Sequence, residues 1–261
     1  MKLFRKAILI VHGFAGGVYD EELLSLELES INKFDVYQFT LPGHDGDYKP
    51  EISMNSWIKS SEEKIEFLKS KGYKNIYVIG HSMGGVIAGH LAAKYKEVKK
   101  LVLVAPAYHY IGFPEGKFDI KNAITKPQLI LKQYGGQLLL DRLTKLPANS
   151  FIEFIKLVKK YRNDVVNIKC PTLLIWGLED NIVPESAINF VYNKIESKEK
   201  YIKRYEKTSH DVFRDLNKEL IINDIIYFLK WNLCEIKDIY FNIFFYVLIL
   251  SWWKIYEGKN L

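Results

Sequence analysis

The sequence predicts an α/β fold built on a mostly parallel sheet. Short apolar runs alternate with longer amphipathic ones, as strands and crossover helices do, and a glycine-bracketed serine ends one of those runs at a strand-to-helix turn; one connection, far too long for a crossover, breaks the rhythm. In chain order, the strand candidates are Ala7 to Val11, Val36 to Thr40, Ile76 to Ile79, Leu101 to Val104 and Thr172 to Trp176, with a weaker one at Tyr201 to Tyr205. Each is short, rich in Val, Ile and Leu, and bounded by turn residues. Helical spacing of apolar residues falls near Glu21 to Ile31, Ser56 to Ser70, Gly84 to Tyr95, Glu185 to Ile195 and Asp211 to Leu229. Crossovers of one hand place the carboxyl ends of all the strands on one edge, where ligands bind in open sheets of this kind.

The overlong connection runs from Ala107 to Lys169, sixty-three residues, and is expected to be an inserted helical cap. Within it, Ser150 and Glu153 have the spacing of a capping box, and Phe151, Phe154, Ile155 and Val158 would share one helical face. The expected organisation is a core of residues 1–106 and 170–232, the cap at 107–169, and an apolar extension at 233–261.

Composition narrows the class further. The chain has 261 residues, 48% hydrophobic and 26% charged, so it can bury a sizeable core and is neither disordered nor of low complexity. Its net charge of +6 is too mild for a nucleic-acid-binding tail, and the cap segment alone, with eleven basic and five acidic side chains, accounts for the whole excess. Cys170 and Cys234 are far apart and lack metal-ligand spacing, which excludes a disulfide framework and a zinc cluster. The first residues carry no secretory signal pattern, so the expected address is cytoplasmic. Ile239 to Trp253 is uncharged for fifteen residues, about 22 Å if helical and short of a ~30 Å hydrocarbon core. A basic cap and an apolar tail could rest together on an anionic membrane; the alternatives are a solvated basic face with a terminal helix packed on its own domain or a partner, and an extension unrelated to the domain.

The chemistry is carried by three separated stretches. Gly80-His81-Ser82-Met83-Gly84 follows a strand and opens a helix, the context in which a sharp turn exposes a serine hydroxyl. A serine needs a base within hydrogen-bond reach and a carboxylate to orient that base. Asp180 lies just past the strand Thr172 to Trp176, and His210 follows the weak strand at 201–205, giving the order Ser82, Asp180, His210. His12-Gly13-Phe14-Ala15-Gly16-Gly17 follows the first strand on the same edge. The backbone N–H groups of Phe14 and Met83 are therefore the candidate oxyanion donors, while His12 is expected to bond the loop backbone. Tyr108, His109, Tyr110 and Phe113 either roof an apolar pocket or only stitch the cap to the core.

The motifs HGFAGG, LPGHDGD at Leu41 to Asp47, GHSMGG, GLEDNIVP and the Ser209-His210 pair resemble the α/β-hydrolase superfamily, and within it the small bacterial carboxylesterases and monoacylglycerol lipases. The likeness spans roughly residues 6 to 230. It implies a six-stranded sheet with an inserted helical cap, a Ser82 nucleophile, a His210 base, an Asp180 orienter and an oxyanion hole at Phe14 and Met83. It implies no metal or organic cofactor. Related dehalogenases and epoxide hydrolases carry an aspartate where Ser82 stands, so the resemblance favours hydrolysis of a small apolar ester of short to medium acyl chain, monoacylglycerol included. A thioesterase or carbon–carbon hydrolase with the same triad is the alternative, and a non-catalytic ligand receptor a more distant one. The residues leave the oligomeric state open.

Overall fold

The structure, a computed structural model, describes residues 5–44, 52–109 and 149–230. Residues 1–225 form one compact unit and 226–261 a second; the sheet lies wholly in the first. Six strands, β1 (Lys6–Val11), β2 (Phe34–Gln38), β3 (Ile76–His81), β4 (Val98–Val104), β5 (Thr172–Gly177) and β6 (Lys200–Tyr205), form one sheet in the order β2-β1-β3-β4-β5-β6. Every neighbouring pair is parallel. Residues of the central strands β1, β3 and β5 are buried almost end to end, as a sheet covered on both faces requires. The edge strand β6 instead alternates, with Tyr201 and Lys203 exposed, which is why its sequence signal is weak. With all strands parallel, Val11, His81, Val104, Gly177 and Tyr205 end on one edge, and the loops that follow them share it.

Helices α1 (Glu22–Ser30), α2 (Met54–Ser70), α3 (Met83–Lys94), α4 (Ser150–Tyr161), α5 (Glu185–Lys194) and α6 (Lys218–Lys230) occupy the predicted segments, with two differences of consequence. The first concerns residues 211–217, expected to be the start of a helix, which form turns instead, so α6 begins at Lys218. Polar side chains there satisfy the backbone of the preceding loop: Asp215 accepts from the Ser209 N–H and hydroxyl, and the Asn217 amide donates to the Glu206 carbonyl at 2.6 Å. Short polar residues offer the chain this alternative to a helix.

The second concerns the expected capping box. Ser150 is already inside α4, Asn149 precedes it, and no side chain caps that end. Glu153 reaches away instead: one carboxylate oxygen accepts the Met54 N–H at 3.0 Å and the other pairs with Lys156. The carboxylate from 107–169 therefore serves an unpaired amide in the first turn of α2. The apolar face of α4 also differs from the expected one, since Phe154, Leu157 and Val158 are buried and Phe151 is exposed.

The box that does form is at α2, where the Ser53 hydroxyl accepts from the Ser56 N–H and the Ser56 hydroxyl accepts from the Ser53 N–H. Behind it, Trp57, Ile58, Ser61, Ile65 and Leu68 recur at helical spacing and are buried. Helix α3 is buried on almost every face and sits against the sheet centre. Tyr110, Phe113, Cys234 and the 239–253 segment lie outside the described residues. Among the described residues, no helix is long and apolar enough to cross a membrane, and no cluster of side chains is arranged to hold a metal ion.

Candidate active site

Strand β3 turns into α3 within one residue. Ser82 takes φ +53° and ψ −118°, a conformation that costs a residue with a side chain about 1–3 kcal/mol. The turn is so close that a Cβ at Gly84 would run into the carbonyl oxygens of Val11 and His12, and one at Gly80 would run into Gly84. Glycine at both positions is what allows the serine to stand at the head of the turn. Its own backbone is fixed, with the Ser82 N–H donating to the Val104 carbonyl at 2.9 Å and the Ser82 carbonyl accepting from Gly85 and Ala107. Met83 is the first residue of α3, so its amide has no carbonyl four residues back within the helix.

The loop after β1 closes over this turn. A Cβ on Gly13 would stand 3.1 Å from the Cβ of Ser82, which places the chain around Phe14 directly beside the serine. His12 is fully buried and holds the loop from behind. Burial and the neighbouring His44 outweigh its bond to Gly13 and lower its imidazole to about 3, so the ring is neutral. Its Nδ1–H then donates to the Gly13 carbonyl at 2.8 Å, and its Nε2 accepts the Leu41 N–H at 2.9 Å. The Phe14 ring stacks on Phe154 of α4 at 5.3 Å and meets Trp57 and Phe151 edge-on, so the wall nearest this loop is aromatic.

On the far side, the loops after β5 and β6 are clamped together. The Leu178 N–H donates to the Tyr205 carbonyl and the Glu179 N–H to the Thr208 carbonyl. Between them, His210 Nδ1 lies 2.9 Å from Asp180 Oδ2. The other carboxylate oxygen, Oδ1, accepts the Ile182 and Val183 N–H groups, both at 2.8 Å, so the Asp180 carboxylate is held on both sides and fully buried. An acceptor carboxylate on Nδ1 places a ring proton there.

The two halves of the site meet through His81. Its ring lies 5.2 Å from that of His210, and its Nε2 is 3.1 Å from the His210 carbonyl oxygen. Its Nδ1 is 3.0 Å from the buried carboxylate of Glu21. This pair escaped the sequence reading. His81 stands in the variable position of the serine motif, sixty residues from Glu21, and no local pattern links them.

His109 is engaged away from the serine turn. Its Nε2 accepts from Arg162 at 2.7 Å, its Nδ1 faces the Ser186 hydroxyl, and its ring lies against Phe190. Burial and the Arg162 charge lower its basicity. Tyr108 is fully buried, its hydroxyl against Gly85 and Gly89 of α3. These two residues stitch the start of the 107–169 segment to the core.

A parallel sheet whose serine sits on a strained strand-to-helix turn, with a carboxylate-bound histidine on the neighbouring loops, defines the α/β-hydrolase class. Residues 6–122 match the family described as the alpha/beta hydrolase fold, and residues 113–217 match that described as serine aminopeptidase S33. A carboxylesterase of Bacillus subtilis is 26% identical over 246 residues, covering 86% of this chain and 92% of the relative. A thermostable monoacylglycerol lipase of a Bacillus species is 26% identical over 222 residues, covering 82% and 86%. Among solved structures, the Paleococcus ferrophilus monoacylglycerol lipase aligns with a TM-score of 0.66 at 19% identity, over 85% of this chain and 93% of that one, a likeness of fold. The chain has the α/β-hydrolase fold, and its relatives make it a hydrolase.

Proposed function

We propose that the protein is a serine hydrolase that cleaves carboxylic esters of short to medium acyl chain, monoacylglycerols among them, through an acyl-enzyme. The observation that carries this reading is the His210 Nδ1 to Asp180 Oδ2 bond on the same sheet edge as the strained Ser82 turn. In the proposed cycle, His210 Nε2 takes the Ser82 proton as the hydroxyl attacks the ester carbonyl. The oxyanion that forms rests on the amides of Phe14 and Met83. His210 then protonates the leaving alcohol, and water activated by the same nitrogen releases the acid. The relatives named carboxylesterase and monoacylglycerol lipase support an ester as substrate, and the aromatic wall of Phe14, Phe154 and Trp57 suits an apolar acyl chain.

The test is covalent. A fluorophosphonate should label Ser82, and Ser82→Ala should abolish both labelling and turnover of p-nitrophenyl acyl esters while the fold survives. Active protein that resists the label would overturn the nucleophile assignment.

A further inference from the structure

We propose that His81 and Glu21 form a buried positioning pair, in which the His81 imidazolium pins the main chain of His210 and presents a fixed positive charge to its ring. The inference rests on the serine-hydrolase reading and adds to it residues that neither attack nor receive the substrate.

The protonation state follows from geometry. His81 Nδ1 faces the Glu21 carboxylate and His81 Nε2 faces the His210 carbonyl, so both ring nitrogens meet acceptors. The carbonyl only accepts, so Nε2 carries hydrogen, and with Glu21 ionised Nδ1 carries one as well and the ring is charged. Burial opposes that charge, yet the hydrogen bond and charge of Glu21 outweigh it, with Asp211 and the His210 carbonyl adding, and hold the imidazole up at about 9. Glu21 is completely buried, and a carboxylate taken out of water demands a cationic partner.

Two consequences follow for His210. His81 is bonded through the chain to Ser82, so a charge-assisted bond from His81 to the His210 carbonyl sets the base relative to the nucleophile. The His81 ring is also tilted 34° against the His210 ring at 5.2 Å, with Glu21 on its opposite nitrogen, so the positive end of the pair faces His210. Among the described residues, Asp211, neutral His12 and the Phe213 ring also lie around His81.

The experiment compares His81→Leu, which removes donor and charge, with His81→Gln, which keeps an N–H donor and no charge. His81→Leu should lower plateau kcat about a hundredfold, and His81→Gln should recover at least tenfold of that loss. In both, KM should stay within about twofold of the original, so that the loss is carried by kcat. A loss carried by KM in folded His81→Leu, or no recovery by glutamine, overturns the positioning role. Nitrogen NMR of the imidazoles in the unaltered protein adds a readout independent of folding of the variants: His81 should be doubly protonated at pH 7.5, and a singly protonated ring overturns the pair. A failure of the hydrolase reading would look different, as loss of fluorophosphonate labelling in the unaltered protein.

Discussion

Replacing Asp180 by asparagine tests the proposed mechanism at its most constrained point. The asparagine has two ways to sit. Its carbonyl can stay on the Ile182 and Val183 N–H groups, as Oδ1 does now at 2.8 Å, with the amide nitrogen toward His210. Turned over, the amide nitrogen would face two N–H donors in a buried position. Each amide left without an acceptor costs about 1–3 kcal/mol, so the flipped form lies roughly 2–6 kcal/mol higher. The amide nitrogen therefore faces His210 Nδ1, which must become the acceptor, and the ring proton moves to Nε2. No lone pair is left to take the Ser82 proton. The expected loss in kcat is about 10⁴-fold, near 5–6 kcal/mol of barrier, with little change in Tm because the two amide bonds persist. Asp180→Ala should lose activity and also about 2 kcal/mol of stability, or roughly 4–8 °C in Tm for a chain of this size. Turnover of a p-nitrophenyl ester, read alongside thermal melting, makes the comparison. An Asp180→Asn enzyme within tenfold of the original would refute the tautomer argument.

Two further outcomes follow from the same geometry. Ser82→Gly should remove activity yet raise Tm by about 2–4 °C, because relief of the positive φ, net of the entropy glycine adds to the unfolded chain, is worth about 1 kcal/mol; Ser82→Ala, with the same φ, should show no such rise. His12 should make the fold acid-sensitive: the unfolded ring takes up a proton below pH 6.5 while the buried ring stays neutral to about 3. That stability is complete above pH 6.5 and declines by up to about 5 kcal/mol as pH falls toward 3. Urea unfolding at stepped pH should show the slope, and His12→Gln should flatten it.

What could be read from the sequence was what the backbone enforces locally. Gly80 and Gly84 are demanded by the turn itself, so the serine motif announces its own geometry, and the order Ser82, Asp180, His210 then follows from loops that end on one edge. The sequence misled where side chains act across the fold. Ser150 and Glu153 have capping-box spacing, yet Glu153 satisfies Met54, ninety-nine residues away, because the packed arrangement of α4 and α2 offers it an amide there. Asp215 and Asn217 read as helix surface, yet they hold the His210 loop through Ser209, Glu206 and Thr208. The Glu21 and His81 pair was invisible for the same reason, since a buried ion pair is a property of two distant segments and neither alone has an unusual sequence.

The reach of Glu153 to Met54 also limits how such enzymes can diversify. Segments inserted over a conserved sheet are the parts that evolution and engineers exchange to retarget a pocket. We propose that residues 107–169 are such an insert: its Glu153 lends an acceptor to α2, so a replacement that brings no carboxylate to that spot would fray the recipient at the start of α2. Grafts onto this framework should carry the acidic side chain with them, or the new specificity arrives together with a weaker host.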